Sequence, residues 1–190
     1  MEFNQKQIEF ERHIESIIGL TLVEVEYLEI DYEPDNSKPY YRTDYDNLDS
    51  IDFSIILYTD KEKLEFFWDE QFFQYGVGLR IGFEKEISTG KKWLVSNREI
   101  WKDLVDKQIS AVKVEWDKVS TYDQSDELKE EFTYPQTISL RFSNDKRVYI
   151  SAAELMDNSG NKVIGFTDNL LVTDKDELAE NLKLIVENVW

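Results

Sequence analysis

Apolar and polar residues alternate at Val23, Val25 and Tyr27, and again at Val112, Val114 and Trp116. This period-two signature marks strands with one buried face. The two stretches open an ordered series of matches. Ile55 to Phe67 matches Ser139 to Ser151, with TDKEK and NDKR as polar turns between strand-like runs, so each half carries a β-hairpin. Gly78 and Gly165 sit in similar contexts, VGL and IGF, and Trp93 to Glu99 matches Leu170 to Glu177. The series predicts an internal duplication of two mostly antiparallel β lobes: an amino-terminal helix over 1–19, a first repeat over 20–108 and a second over 109–190, packed as one compact unit. Pro34, Pro39 and Pro135 all lie in or beside acidic loops, so no proline-rich linker separates the halves.

Helical periodicity supplies the rest of the expected fold. Phe10, Ile14, Ile17 and Ile18 share one face of the first helix. Ser96 precedes Glu99 by three residues and Thr173 precedes Asp176 by three, the spacing by which an N-cap hydroxyl and a returning acid satisfy the free N–H groups of a helix start. A middle helix would then bury Ile100, Trp101, Leu104 and Val105, and a carboxy-terminal one Leu178, Leu182, Ile185 and Val189. The predicted class is α+β, with amphipathic helices at the amino terminus, in the middle and at the carboxy terminus. Trp101, Trp116 and Phe142 are the expected large core side chains.

Composition narrows the chemistry. The 190 residues carry a net charge of −18, which opposes binding to nucleic-acid phosphates or anionic lipid. The absence of cysteine and a single histidine, His13 in the charged context ERHIES, remove thiol chemistry and most histidine chemistry. GVGLRIG from Gly76 to Gly82 lacks the phosphate-loop spacing and reads as a strand relieved by glycine. Asp44, Asp46 and Asp49, like Asp157, Ser159 and Asn161, lack the glycine and closing glutamate of a calcium loop. No cofactor or metal is expected. With no secretion signal, no apolar run of membrane-spanning length and no disulfide framework, the expected location is the cytoplasm.

Two acidic, tyrosine-bearing segments remain, Asp31 to Ser50 and Ser120 to Pro135, at corresponding places in the two halves. Both read as loops longer than ordinary connections, whose carboxylates attract a cationic partner while tyrosines supply contact area. The residues assigned to such a surface are Asp31, Tyr40, Tyr41, Asp44, Tyr45, Asp46, Asp49, Tyr122, Asp126, Glu127, Glu130 and Glu131. With its PQTISLRF, VYISAAE and GFTDNLLV segments (Pro135–Phe142, Val148–Glu154, Gly165–Val172), the second half of this acidic chain resembles the small immunity proteins of bacterial toxin systems. That resemblance implies a non-catalytic, stoichiometric inhibitor of a basic toxin or nuclease domain. The alternatives are a small carboxylate-based hydrolase, with Glu65, Asp69 and Glu70 near Trp68 as the most cleft-like acids, and a DNA mimic.

Overall fold

The computed structural model describes residues 4–32, 35, 37–72, 75–84, 90–156 and 163–185. The elements are α1 (Gln5–Glu15), β1 (Leu22–Glu29), β2 (Leu48–Ile51), β3 (Ser54–Thr59), β4 (Lys63–Asp69), β5 (Gly76–Ile81), β6 (Lys91–Leu94), β7 (Ile109–Tyr122), β8 (Leu128–Phe142), β9 (Arg147–Leu155), β10 (Val163–Thr173) and α2 (Asp176–Asn181). The strands form two five-stranded sheets, ordered β5-β4-β3-β1-β6 and β2-β10-β9-β8-β7. Every pairing within them is antiparallel.

Alternation decides which face of each sheet is buried. Val25, Tyr27, Ile55, Leu57, Leu64 and Phe66 of the first sheet share one continuous core with Ile138, Leu140, Val148, Ile150, Leu170 and Val172 of the second. The sheets therefore face each other as a sandwich. Helix α1, held at its start by an Asn4/Gln7 capping box, adds Phe10 and Ile14 to this core, and Ile17 follows them just past its end. On the outer face of the second sheet, Leu48, Tyr149, Ala153 and Leu171 pack against Ala179, Leu182, Leu184 and Ile185 of the carboxy-terminal segment. There the buried Thr137 hydroxyl donates to the Leu184 carbonyl at 2.6 Å.

The expected α+β class is incorrect: among the described residues 52% are in strands and 10% helical, with two helices. The middle helix fails because its ends are tied to neighbouring points of β1. Val95 donates to the Val25 carbonyl at 2.9 Å and Asp106 to the Leu22 carbonyl at 2.8 Å. Those carbonyls lie three residues apart on one strand, roughly 10 Å, so the chain between must fold back as successive turns. Ser96 does not cap; its hydroxyl accepts the Val25 N–H at 2.9 Å. Helix α2 stops at Asn181 because Lys183 takes a left-handed conformation (φ 57°), which turns Leu184 into the core. Val189 lies outside the described residues, as do Pro34, Asp157, Ser159 and Asn161.

The two halves are not two lobes. Strand β2, from the first half, pairs with β10 in the second sheet. The runs β5-β4-β3-β1 and β10-β9-β8-β7 follow the same meander order. Their central hairpins differ by one residue, however: Leu57 opposes Leu64, whereas its sequence match Arg141 opposes Arg147. The extra turn residue is accommodated by Asp145 at φ 63°. Trp93 and Leu94 pair with β1, whereas their matches Leu170 and Leu171 pair with β9 and β2.

Trp101 and Phe142 are fully buried, and Trp116 is half-buried with its indole donating to Glu11 at 2.9 Å. Truncating Trp101 or Phe142 to Ala is expected to cost about 3–5 kcal/mol. Trp116→Ala should cost clearly less in the same urea-unfolding measurement.

Candidate functional site

The strand register gathers several acidic and aromatic side chains at one end of the sandwich. Leu28 opposes Ser54, Ser54 opposes Phe67, Asp69 opposes Gly76 and Glu29 opposes Lys91, so the end of β1 lies beside the starts of β3 and β6, and the end of β4 beside the start of β5. The second sheet sends out its longest hairpin at the same end. β7 and β8 pair from Ile109↔Phe142 to Tyr122↔Leu128, whereas β9 accompanies β8 only between Thr137 and Arg141. The ends of the two sheets touch where Gly76 backs onto Pro135, so closely that a Cβ on Gly76 would lie 2.9 Å from the proline ring. Phe72, beyond β4, also meets Trp116 edge to face at 4.9 Å.

The segment from Ser120 to Pro135, expected as a loop, is thus a two-stranded ribbon. Val119, Thr121, Tyr122, Phe132, Thr133 and Tyr134 supply the β-branched and aromatic side chains that favour strands, despite the surrounding acids. At the tip the Asp123 carboxylate accepts the Ser125 N–H at 2.7 Å and the Glu127 N–H at 3.1 Å. Asp126, Glu127, Glu130 and Glu131 are exposed. Tyr122 and Leu128 oppose each other across the ribbon at 61% and 58% exposure. Lys118 reaches Glu131 at 2.5 Å. At its root the ribbon walls a cavity of about 700 Å³ lined by Trp116, Asp117, Tyr134, Gln136, Gly165 and Leu184.

The first acidic segment behaves differently. Asp49 and Tyr41 are buried and are not available to a partner. Asp49 accepts the Tyr27 hydroxyl at 3.0 Å and Arg98 Nε at 2.9 Å, with a second bond from the other guanidinium nitrogen. The Trp101 indole donates to the Tyr27 hydroxyl at 2.6 Å. Tyr41 lies edge to face on Tyr27 at 5.0 Å and beneath the Arg98 guanidinium at 5.3 Å. Burial pushes the Asp49 carboxyl upward while Arg98 pulls it back. Asp31 pairs with Lys91 at 2.8 Å, Tyr40 is half-buried, and Tyr45 packs against the outer core of the second sheet. Asp44 and Asp46 are exposed, but they precede Leu48, which opposes Thr173 at the end of β10 remote from the ribbon. Asp44 and Asp46 therefore do not converge with the acids of the ribbon.

Sequence reasoning missed Glu29 and Asp52. Glu29 is fully buried, and its Oε2 accepts the Tyr40 N–H at 3.1 Å; Asp52 accepts the Ile30 N–H at 3.0 Å. Together they fasten the two sides of the chain's longest excursion. Burial drives the Glu29 carboxyl up to about 7, with the Tyr40 N–H opposing and the Asp52 charge assisting the rise. Tyr32, near Asp52 and Asp168, is raised by burial and by both charges. The signal for Glu29 was present: it falls on the same inward phase as Val25 and Tyr27.

Two consequences are measurable. Arg98→Met leaves Asp49 buried without its counter-charge and is expected to cost about 3–5 kcal/mol in denaturant unfolding, of which the double variant with Asp49→Asn recovers part. Because Glu29 is harder to ionise folded than unfolded, it has no effect on stability well below its ordinary value of 4.5 and destabilises increasingly as pH rises through about 7. Glu29→Gln keeps an acceptor for Tyr40 and removes this slope. Its advantage over the parent should be absent at acid pH and reach about 2–3 kcal/mol above neutrality, read from unfolding free energies between pH 4 and 9.

Among the described residues no group of three or more His, Asp or Glu side chains is placed to hold a metal ion, and no helix is long and apolar enough to cross a membrane. Comparison with protein-family models, with curated proteins and with solved structures finds no match.

Proposed function

We propose that this chain is a non-catalytic protein-binding module of the cytoplasm, an immunity-type inhibitor that occludes a basic surface of a toxin or nuclease with its acidic ribbon. The observation that carries this reading is the ribbon itself: exposed Asp126, Glu127, Glu130 and Glu131 surround the exposed apolar pair Tyr122 and Leu128 on a hairpin that outruns its neighbouring strand. Carboxylates steer a cationic partner and raise the encounter rate, and an aromatic–aliphatic pair at the centre supplies area to bury once contact is made. A hydrolase built on the acids around Trp68 has less support. Glu65 is buried against Ser54 at 2.8 Å and bonded to Arg80, four strand positions, roughly 13 Å, from Asp69 at the end of β4.

The test reverses the four ribbon charges together, Asp126→Lys, Glu127→Lys, Glu130→Lys and Glu131→Lys. Association with a basic partner recovered from the source cells is expected to slow about tenfold or more at low salt, while stability changes by only about 0.5 kcal/mol. Reversing Asp44 and Asp46 should leave that rate unchanged. Undiminished association of the ribbon variant would overturn the reading.

A further inference from the structure

A second feature at the ribbon end is a small cavity with aromatic and acidic walls. A cavity of about 300 Å³ is lined by Phe53, Phe67, Trp68, Asp69 and Glu70. Its location follows from register: Phe53 immediately precedes β3, and Phe67, Trp68 and Asp69 close β4, with Ser54 opposite Phe67. Three of the five lining residues are aromatic. Phe53 and Trp68 meet edge to face at 6.2 Å and 82°, and Tyr75 meets the same indole edge to face at 5.5 Å and 74°. Ring faces carry negative charge density, and a cation set against them is attracted the more strongly for being partly desolvated.

The two acids complete the arrangement. Asp69 and Glu70 are adjacent; Asp69 is half-buried, and its Oδ1 accepts the Gln71 N–H at 2.7 Å. Burial, with the Glu70 charge assisting, raises the Asp69 carboxyl, against the pull of the Gln71 N–H and of Lys6. Lys6 does not enter the cavity; its ammonium is bonded to the Gln71 carbonyl and sits over the Phe72 ring at 4.6 Å. The close approach of Asp69 to the next strand is built in, because a Cβ on Gly78 would lie 2.7 Å from the Asp69 Cβ. The Trp68 indole N–H is buried with no hydrogen-bond partner among the described residues.

We propose that this cavity receives an arginine side chain of a basic protein partner, with the guanidinium against the Phe53 and Trp68 rings and facing the carboxylates of Asp69 and Glu70. The proposal rests on the reading of the chain as a binder of cationic protein, and adds the residue that the partner inserts. Arginine fits better than lysine because its guanidinium is planar, weakly hydrated and able to stack on a ring while its edge donates to a carboxylate. A volume at the lower end of the range for ligand sites suits one side chain.

The probe is Nα-acetyl-arginine amide, with Nα-acetyl-citrulline amide as its uncharged isostere. The chain has five tryptophans, so its indole N–H resonances form a small set in which Trp68 is identified by its loss in Trp68→Phe. Arginine amide is expected to shift the Trp68 resonance saturably, with a Kd on the order of 1 mM, and citrulline amide to bind about tenfold more weakly. Glu70→Gln, a surface change that leaves the fold intact, should weaken arginine binding about threefold, and Trp68→Leu should abolish it. Equal binding of citrulline, or arginine binding unaffected by both Glu70→Gln and Trp68→Leu, would overturn the proposal. Ribbon charge reversal separates the two readings. If it leaves arginine-amide binding intact while partner association is unchanged, only the ribbon is dismissed; if the ribbon variant loses its partner yet arginine amide never binds the parent, only the cavity is dismissed.

Discussion

The buried contact between Asp49 and Arg98 joins three parts of the chain that sequence distance keeps apart. Asp49 lies on β2 in the second sheet, Arg98 in the turns after β6, and Tyr27, which bonds the same carboxylate, on β1 in the first sheet. Taking a carboxylate and a guanidinium out of water costs several kcal/mol per ion, and the cost is offset only where geometry and further hydrogen bonds are favourable. Here both carboxylate oxygens are occupied, and Trp101 satisfies the phenol that serves one of them. A shift of β2 by one residue would send Asp49 to the opposite face and leave both charges without partners, so the network acts with Leu48 in the outer core and Ile51 in the inner core to fix the register of this four-residue strand.

That register explains why the first acidic segment reads so differently in space. Tyrosine and aspartate counts describe a solvated loop, and composition has no means to say that one aspartate and one tyrosine point inward. Glu29 offered a clearer clue, an acid on the buried phase of a strand. The strands themselves were legible because alternation survives any tertiary context that buries one face. The middle helix was misread for a local reason: Ser96 has an acid three residues on, but a hydroxyl that can serve the Val25 N–H is no longer free to cap. The ribbon was misread because its charges hid its strand-forming residues, Val119, Thr121 and Phe132 among them. The Lys183 reversal is made by a lysine, not by a glycine or asparagine whose own left-handed tolerance would announce it.

Charged side chains gather at both ends of the sandwich. At the end opposite the ribbon, Lys146 pairs with Asp103, Arg147 with Asp176 and Lys175 with Asp174, a lattice of opposite charges around the β8–β9 turn and the start of α2. At the ribbon end the exposed acids of the tip, with Asp69, Glu70 and Asp168, dominate.

Strand β2 is synthesised within the first 51 residues, yet its neighbour β10 ends at Thr173. On the ribosome, β2 must wait for nearly the whole chain before it can be paired, and Asp49 waits for Arg98 as well. The first sheet, made wholly of strands before residue 95, has no such dependence; among the first-half strands only β2 is left without its sheet neighbour. The long-range pairing therefore ties completion of the second sheet to β10, the last of its strands to be made.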